Sequence, residues 1–124
     1  EVPVWDIRED FPDDGGMLVT SNTAGSSLAR RLGAGPVCLL AGHGAIAAGE
    51  TVRRVVQVAI SLVISAGFLL QSRLLAGMQR GSEVRFLTSA EIRAMADLAS
   101  SPRALQRMWE YWAVRAGYDP SQIT

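Results

Sequence analysis

The chain has 124 residues, twelve acidic and twelve basic, for a formal net charge of zero, so no net field favours nucleic acid or an anionic membrane as partner. All twelve basic residues are arginine, which excludes a Schiff-base lysine mechanism; the single cysteine, Cys38, excludes an internal disulfide and is compatible with a reducing cytoplasm. The length suits one domain or a large part of one, able by size to bury about two-thirds of its extended-chain surface.

The chain opens with Val2 to Ile7, a short β-type run in which Val2 and Val4 share one face while Trp5 and Ile7 share the other. Arg8 to Gly16 follows as an acidic segment carrying Glu9, Asp10, Asp13 and Asp14. It lacks the spaced Asp-x-Asp-x-Asp-Gly pattern of a calcium loop and reads as a solvated loop. Met17 to Thr20 suggests a short extended piece. Asn22 or Thr23 then caps a helix to about Leu32, with Leu28, Ala29 and Leu32 as its buried stripe and Gly33 beyond its end.

Gly35-Pro36 resets the chain for PVCLLAGHGAIAAGE, residues 36 to 50, the stretch that most resembles a site. An apolar strand, Val37 to Leu40, breaks at Gly42-His43-Gly44 and resumes as Ala45 to Ala48. The two runs are expected to neighbour each other through this turn. His43 is the only histidine in the chain. Imidazole is both the commonest transition-metal ligand and the usual acid or base near neutral pH. Three roles stand for it: a structural ring satisfied by backbone groups, a general base that would need an orienting carboxylate, or one ligand of a metal site. Catalytic zinc takes three protein ligands and an open position. Cys38 lies five residues back, on the opposite face of a straight strand, and reads as a small buried hydrophobe.

From about Thr51 to Met78 the pattern is one long helix, and the eighteen residues from Val55 to Ser72 carry no charge. That length is at the threshold of a membrane span. Gln57, Ser61 and Ser65 form a polar stripe at i, i+4, i+8, which favours a core or subunit-interface helix over a span. Arg80 to Leu87 is a connector. Thr88 with Glu91 makes a capping-box signature opening a helix to about Ala99, with Ile92, Met95, Ala96 and Ala99 on one face. Ser101-Pro102 reads as N-cap and first residue of a last helix. Leu105, Met108, Trp109, Trp112 and Ala116 form its apolar stripe, Gly117 its end, and Glu110 and Tyr111 face outward. The two tryptophans suit a core or subunit-docking stripe better than a ligand surface.

The order VPVWDI, then SSLARRLG on a helix, then PVCLLAGHGAIAAGE, then a long helix opening TVRRVV, resembles the C-terminal half of the class II aldolase/adducin family. FLTSAEI and RMWEYWAVRAG resemble its closing helices, in the branch of decarboxylase-like members acting on hydroxylated aromatic acids. The resemblance implies an α/β fold, in which residues 1–124 form part of a three-layer α/β/α class II aldolase-like arrangement with a mixed sheet and flanking helices. The chain would be the C-terminal portion of that domain, and its abrupt opening at Glu1 reads as trimming or cleavage on the N-terminal side.

In the family the GHG histidine is the third ligand of a catalytic divalent metal, a role that would fall on His43. Zinc is the first expectation for that metal, with manganese or iron as alternatives. The other ligands, a His-x-His motif, and the catalytic carboxylate belong to the preceding half, so no catalytic residue is assigned in this chain. The implied partners are that N-terminal half, on the same or a separate chain, a small-molecule substrate, and further copies in a homo-oligomer, possibly a tetramer; neither nucleic acid nor membrane is expected, and the expected location is the cytoplasm. Two functions follow as expectations: a metal-dependent carbon–carbon lyase acting by retro-aldol cleavage or decarboxylation, or a non-catalytic adducin-like or truncated assembly module. A split enzyme is a lesser third.

Overall fold

A computed structural model describes residues 2–12, 18–78 and 83–122. The chain divides into two compact units, Glu1–Val58 and Ala59–Thr124.

The first unit holds a three-stranded mixed sheet in the order β1-β2-β3, with β1 at Val4–Trp5, β2 at Val37–Leu40 and β3 at Gly44–Ala47. β1 runs parallel to β2, with Val4 opposite Leu39 and Trp5 opposite Leu40. β2 and β3 are antiparallel, with Cys38 opposite Ile46 and Leu40 opposite Gly44. The neighbouring of the two apolar runs across the Gly-His-Gly turn is therefore observed. The fold is mixed α/β.

The opening strand is shorter than its apolar pattern suggests, and the acidic segment does not begin as a loop. Asp6 leaves the strand because its carboxylate accepts from the backbone N of Arg8 at 3.0 Å, capping a one-turn helix, α1, over Ile7–Asp10. The alternation still sorts the side chains as expected: Trp5 and Ile7 are buried, Val2 and Val4 exposed. Asp13, Asp14 and Met17 lie outside the described residues, and Leu18 to Thr20 form no strand.

Helix α2 covers Asn22–Leu32, and its N-cap is Ser21, whose hydroxyl accepts from Ala24 N at 3.2 Å. Asn22 and Thr23 are inside the helix, one turn position later than a cap. Its buried face is Ala24, Ser27 and Leu28, while Ala29 is exposed and Leu32 half-buried. The stripe is thus rotated toward the N-terminus, because Ser27 faces inward to meet Trp5. Gly33 follows with φ 61°, and its N–H returns to Ala29 O. The core of this unit is Trp5, Ile7, Leu28 and Cys38, with Phe11, Leu32, Leu40 and Ile46 around it. Each large apolar side chain fully buried there contributes about 1.5–3 kcal/mol relative to exposure.

Helix α3, Val52–Met78, starts in the first unit and continues through the second. Thr51 opens it by accepting from Arg54 N at 3.2 Å. Within it only Gln57 and Val58 are buried. By length and composition it is long and apolar enough to cross a membrane.

The second unit also holds α4 (Ser89–Ala99), α5 (Pro102–Arg115) and a 3₁₀ turn at Pro120–Gln122. The Thr88–Glu91 capping box forms in full, and Ser101 caps α5 with Pro102 at its first turn. Ala113 is the buried residue of α5; Leu105, Met108, Trp109 and Trp112 are half-buried, and Ala116, Glu110 and Tyr111 exposed. The expected apolar face of α4, Ile92, Met95, Ala96 and Ala99, is exposed.

Candidate functional site

The β2–β3 hairpin turns on Ala41, Gly42 and His43. The N–H of His43 donates to Leu40 O at 3.0 Å, closing a four-residue turn. Gly42 occupies its third position with φ 72°, where a type II turn requires a positive φ and hence glycine. The Gly42-His43 pair therefore has a local cause: the glycine reverses the chain and the histidine leaves the turn at its tip.

His43 is exposed, and among the described residues its imidazole makes no hydrogen bond or ion pair. The reading of a structural ring satisfied by backbone groups therefore finds no partner here. Cys38 is fully buried, with its thiol 3.4 Å from Leu39 O. It belongs to the core with Trp5, Ile7 and Leu28, while β2 ends at Leu40 and His43 lies in the turn beyond it, so the two are separated by the turn and not by alternation along a straight strand.

The sheet register brings one carboxylate to the same end. Trp5 pairs with Leu40, and Ala41 N donates to Trp5 O at 2.9 Å, so Asp6 follows β1 where the hairpin tip follows β2. Asp6 is already engaged: Arg8 Nε and Nη2 donate to its two oxygens at 2.8 and 2.6 Å. Those bonds to the Arg8 side chain, with the Arg8 backbone N–H second, hold its carboxyl below the ordinary value of 3.8. Asp6 is thereby a helix cap with a committed cation.

Among the described residues no group of three histidine, cysteine, aspartate or glutamate side chains is placed to hold a metal. One exposed imidazole fits a single ligand position; the described residues do not complete a site.

A second polar cluster escaped sequence reading. Trp5 Nε1 donates to Ser27 Oγ at 3.0 Å, and the Ser27 hydroxyl donates to Asp10 Oδ2. Arg31 adds an exposed ion pair to Glu9 at 2.9 Å, tying α2 to α1 again. A serine one turn after Ala24 and beside Leu28 is the only sequence signal for this junction.

These features define a mixed α/β protein that presents a lone histidine on a glycine-bounded hairpin tip. A family model for the class II aldolase and adducin N-terminal domain matches residues 8–70, which span α2, the hairpin with His43 and α3 up to Leu70. The chain belongs to the class II aldolase/adducin family. Comparison with curated proteins and with solved structures returned no significant match.

Proposed function

We propose that this chain is the C-terminal portion of a class II aldolase-type domain, and that the whole protein is a metal-dependent carbon–carbon lyase acting on a small hydroxy or oxo acid by retro-aldol cleavage or decarboxylation. The observation that carries this reading is His43, exposed and, among the described residues, without a hydrogen bond or ion pair, at a glycine-built turn inside the family-matched segment. His43 would supply one ligand of a divalent metal, zinc first and manganese or iron otherwise, with the remaining ligands from a segment outside this chain. Bound there, such a metal acts as a Lewis acid that stabilises the charge developing on a substrate oxygen. The hairpin's part is to fix the imidazole by backbone geometry; the core position of Cys38 keeps a competing thiolate away. The decarboxylase-like branch, a homo-oligomeric assembly and a cytoplasmic location belong to the same proposal.

The second reading, a non-catalytic adducin-like assembly module, is favoured by the described residues having no complete ligand set. Metal content separates the two. The protein is purified without chelator, and metal per chain is measured by mass spectrometry for wild type and His43→Ala. Stoichiometric metal lost on substitution supports the lyase reading. Metal that is absent from both, or unchanged by the substitution, removes the lyase reading at its central residue.

A further inference from the structure

The end of the sheet that carries His43 also carries an oriented cation. β1 and β2 are parallel, with Trp5 opposite Leu40, so both strands present their carboxyl ends on one side. In open α/β sheets that side is where ligands bind. Ala41 N donates to Trp5 O at 2.9 Å, which sets Asp6 beside Ala41. Arg8 stands two residues beyond Asp6 and His43 two residues beyond Ala41, all within the first unit.

The Arg8 side chain is 73% exposed and that of Asp6 21%. An exposed ion pair contributes little to stability, but this one has a defined geometry. A guanidinium offers carboxylates two forked faces, one made by Nε with one Nη and the other by the two Nη groups. Nε and Nη2 donate to Asp6 Oδ1 and Oδ2 at 2.8 and 2.6 Å, so Asp6 occupies the first face. The second, Nη1 with the remaining N–H of Nη2, makes no hydrogen bond among the described residues. Asp6 is itself held, since Oδ1 also accepts from Arg8 N at 3.0 Å as the cap of α1. The guanidinium is thus oriented before any ligand arrives, which lowers the ordering cost of binding.

The charge balance also selects the ligand. With Asp6 paired to it, Arg8 brings little net charge to this end, so general attraction of anions is weak and the fork geometry decides. The ligand that matches is singly charged and planar with two oxygens, a carboxylate.

We propose that Arg8 is a specificity residue that takes the carboxylate of a small hydroxy or oxo acid on its open Nη face, and that Asp6 is its positioning residue. The hydroxyl or carbonyl of the acid then lies toward His43 at the hairpin tip. The purpose of this contact rests on the lyase reading; its test does not.

The test is a titration of the 124-residue chain, stripped of metal, with glycolate at constant ionic strength, followed by heteronuclear NMR at Arg8 Nε–H and at the amides of Gly42 and His43. Glycolate is expected to saturate both sets of signals with one dissociation constant in the millimolar range. Glycolamide, which keeps the hydroxyl and lacks the charge, is expected to move neither. Arg8→Gln is expected to weaken glycolate binding by on the order of tenfold or more, the scale of a hydrogen bond between charged partners. Arg8→Lys is expected to recover little of it, because an ammonium has no fork.

Asp6→Asn separates positioning from charge. Asparagine caps a helix as well as aspartate does, and removing the negative charge strengthens any general attraction of anions. Loss of orientation has the opposite sign, so this variant is expected to bind glycolate at least threefold more weakly than wild type. Glycolate binding that is absent or indifferent to Arg8→Gln overturns the proposal. So does tighter binding by Asp6→Asn, inorganic phosphate bound more tightly than glycolate, or shifts at Arg8 with Gly42 and His43 unmoved. Failure of the lyase reading shows instead in the metal content of His43→Ala, which this metal-free titration does not involve.

Discussion

The indole N–H of Trp5 donates to the hydroxyl of Ser27 at 3.0 Å across 22 residues of sequence. Both residues are buried, and the serine hydroxyl in turn donates a hydrogen bond to Asp10 Oδ2. This relay joins the first strand, the one-turn helix after it and α2, and so sets the frame on which the β2–β3 hairpin lies.

Replacing Ser27 by alanine leaves a buried indole donor without its acceptor, a cost of about 1–3 kcal/mol. Urea denaturation of Ser27→Ala is expected to show that loss, with the denaturant slope unchanged. Stability equal to wild type would mean that the Trp5 N–H finds water and that the relay is not structural.

Gly42 holds φ 72° at the turn that ends in His43. Alanine there adopts a left-handed conformation at roughly 1–2 kcal/mol. Gly42→Ala is expected to lose about that much in thermal or chemical denaturation. An unperturbed midpoint would show that the turn reaches its shape without a positive φ.

His43 is exposed and unbonded among the described residues, so His43→Ala is expected to change stability by no more than about 0.5 kcal/mol, the range of surface substitutions without special contacts. A loss well beyond that, in metal-free protein, would make the imidazole a structural residue and not a free ligand.

The carboxyl of Asp6 is held low chiefly by the Arg8 side chain and then by its backbone N–H. A folded-state value below the unfolded one means that the contribution to stability is present above the ordinary 3.8 and is lost as pH falls through the folded value. In an NMR titration the Asp6 side chain is expected to protonate below 3.8 in the folded protein and to move back toward that value in Arg8→Gln. A wild-type midpoint at or above 3.8 would show that the pair does not persist in solution.

Local chemistry made several elements legible from the residues. The capping box of Thr88 and Glu91, the Ser101-Pro102 start of α5, and Gly33 and Gly117 beyond α2 and α5 each rest on contacts within a few residues, and they are observed. The hairpin was readable for the same reason, since two apolar runs separated by Gly-His-Gly have few other ways to pair. Two boundaries depart from the pattern through local competition: Asp6 and Ser21 each accept from a nearby backbone N–H and so shift where a helix begins. The apolar stripe of α4 is exposed and that of α5 only half-buried, because periodicity marks a face that could be buried without saying that anything covers it.

The sequence by itself determined helices α2 to α5, the two runs of the hairpin, the lone histidine in its glycine setting and the absence of lysine chemistry, because propensity, capping and composition act over short distances. Only the tertiary structure decided that β1 runs parallel beside β2 and that Ser27 faces Trp5. Those outcomes depend on which side chains from distant positions fill one volume together, and no window of sequence contains both partners.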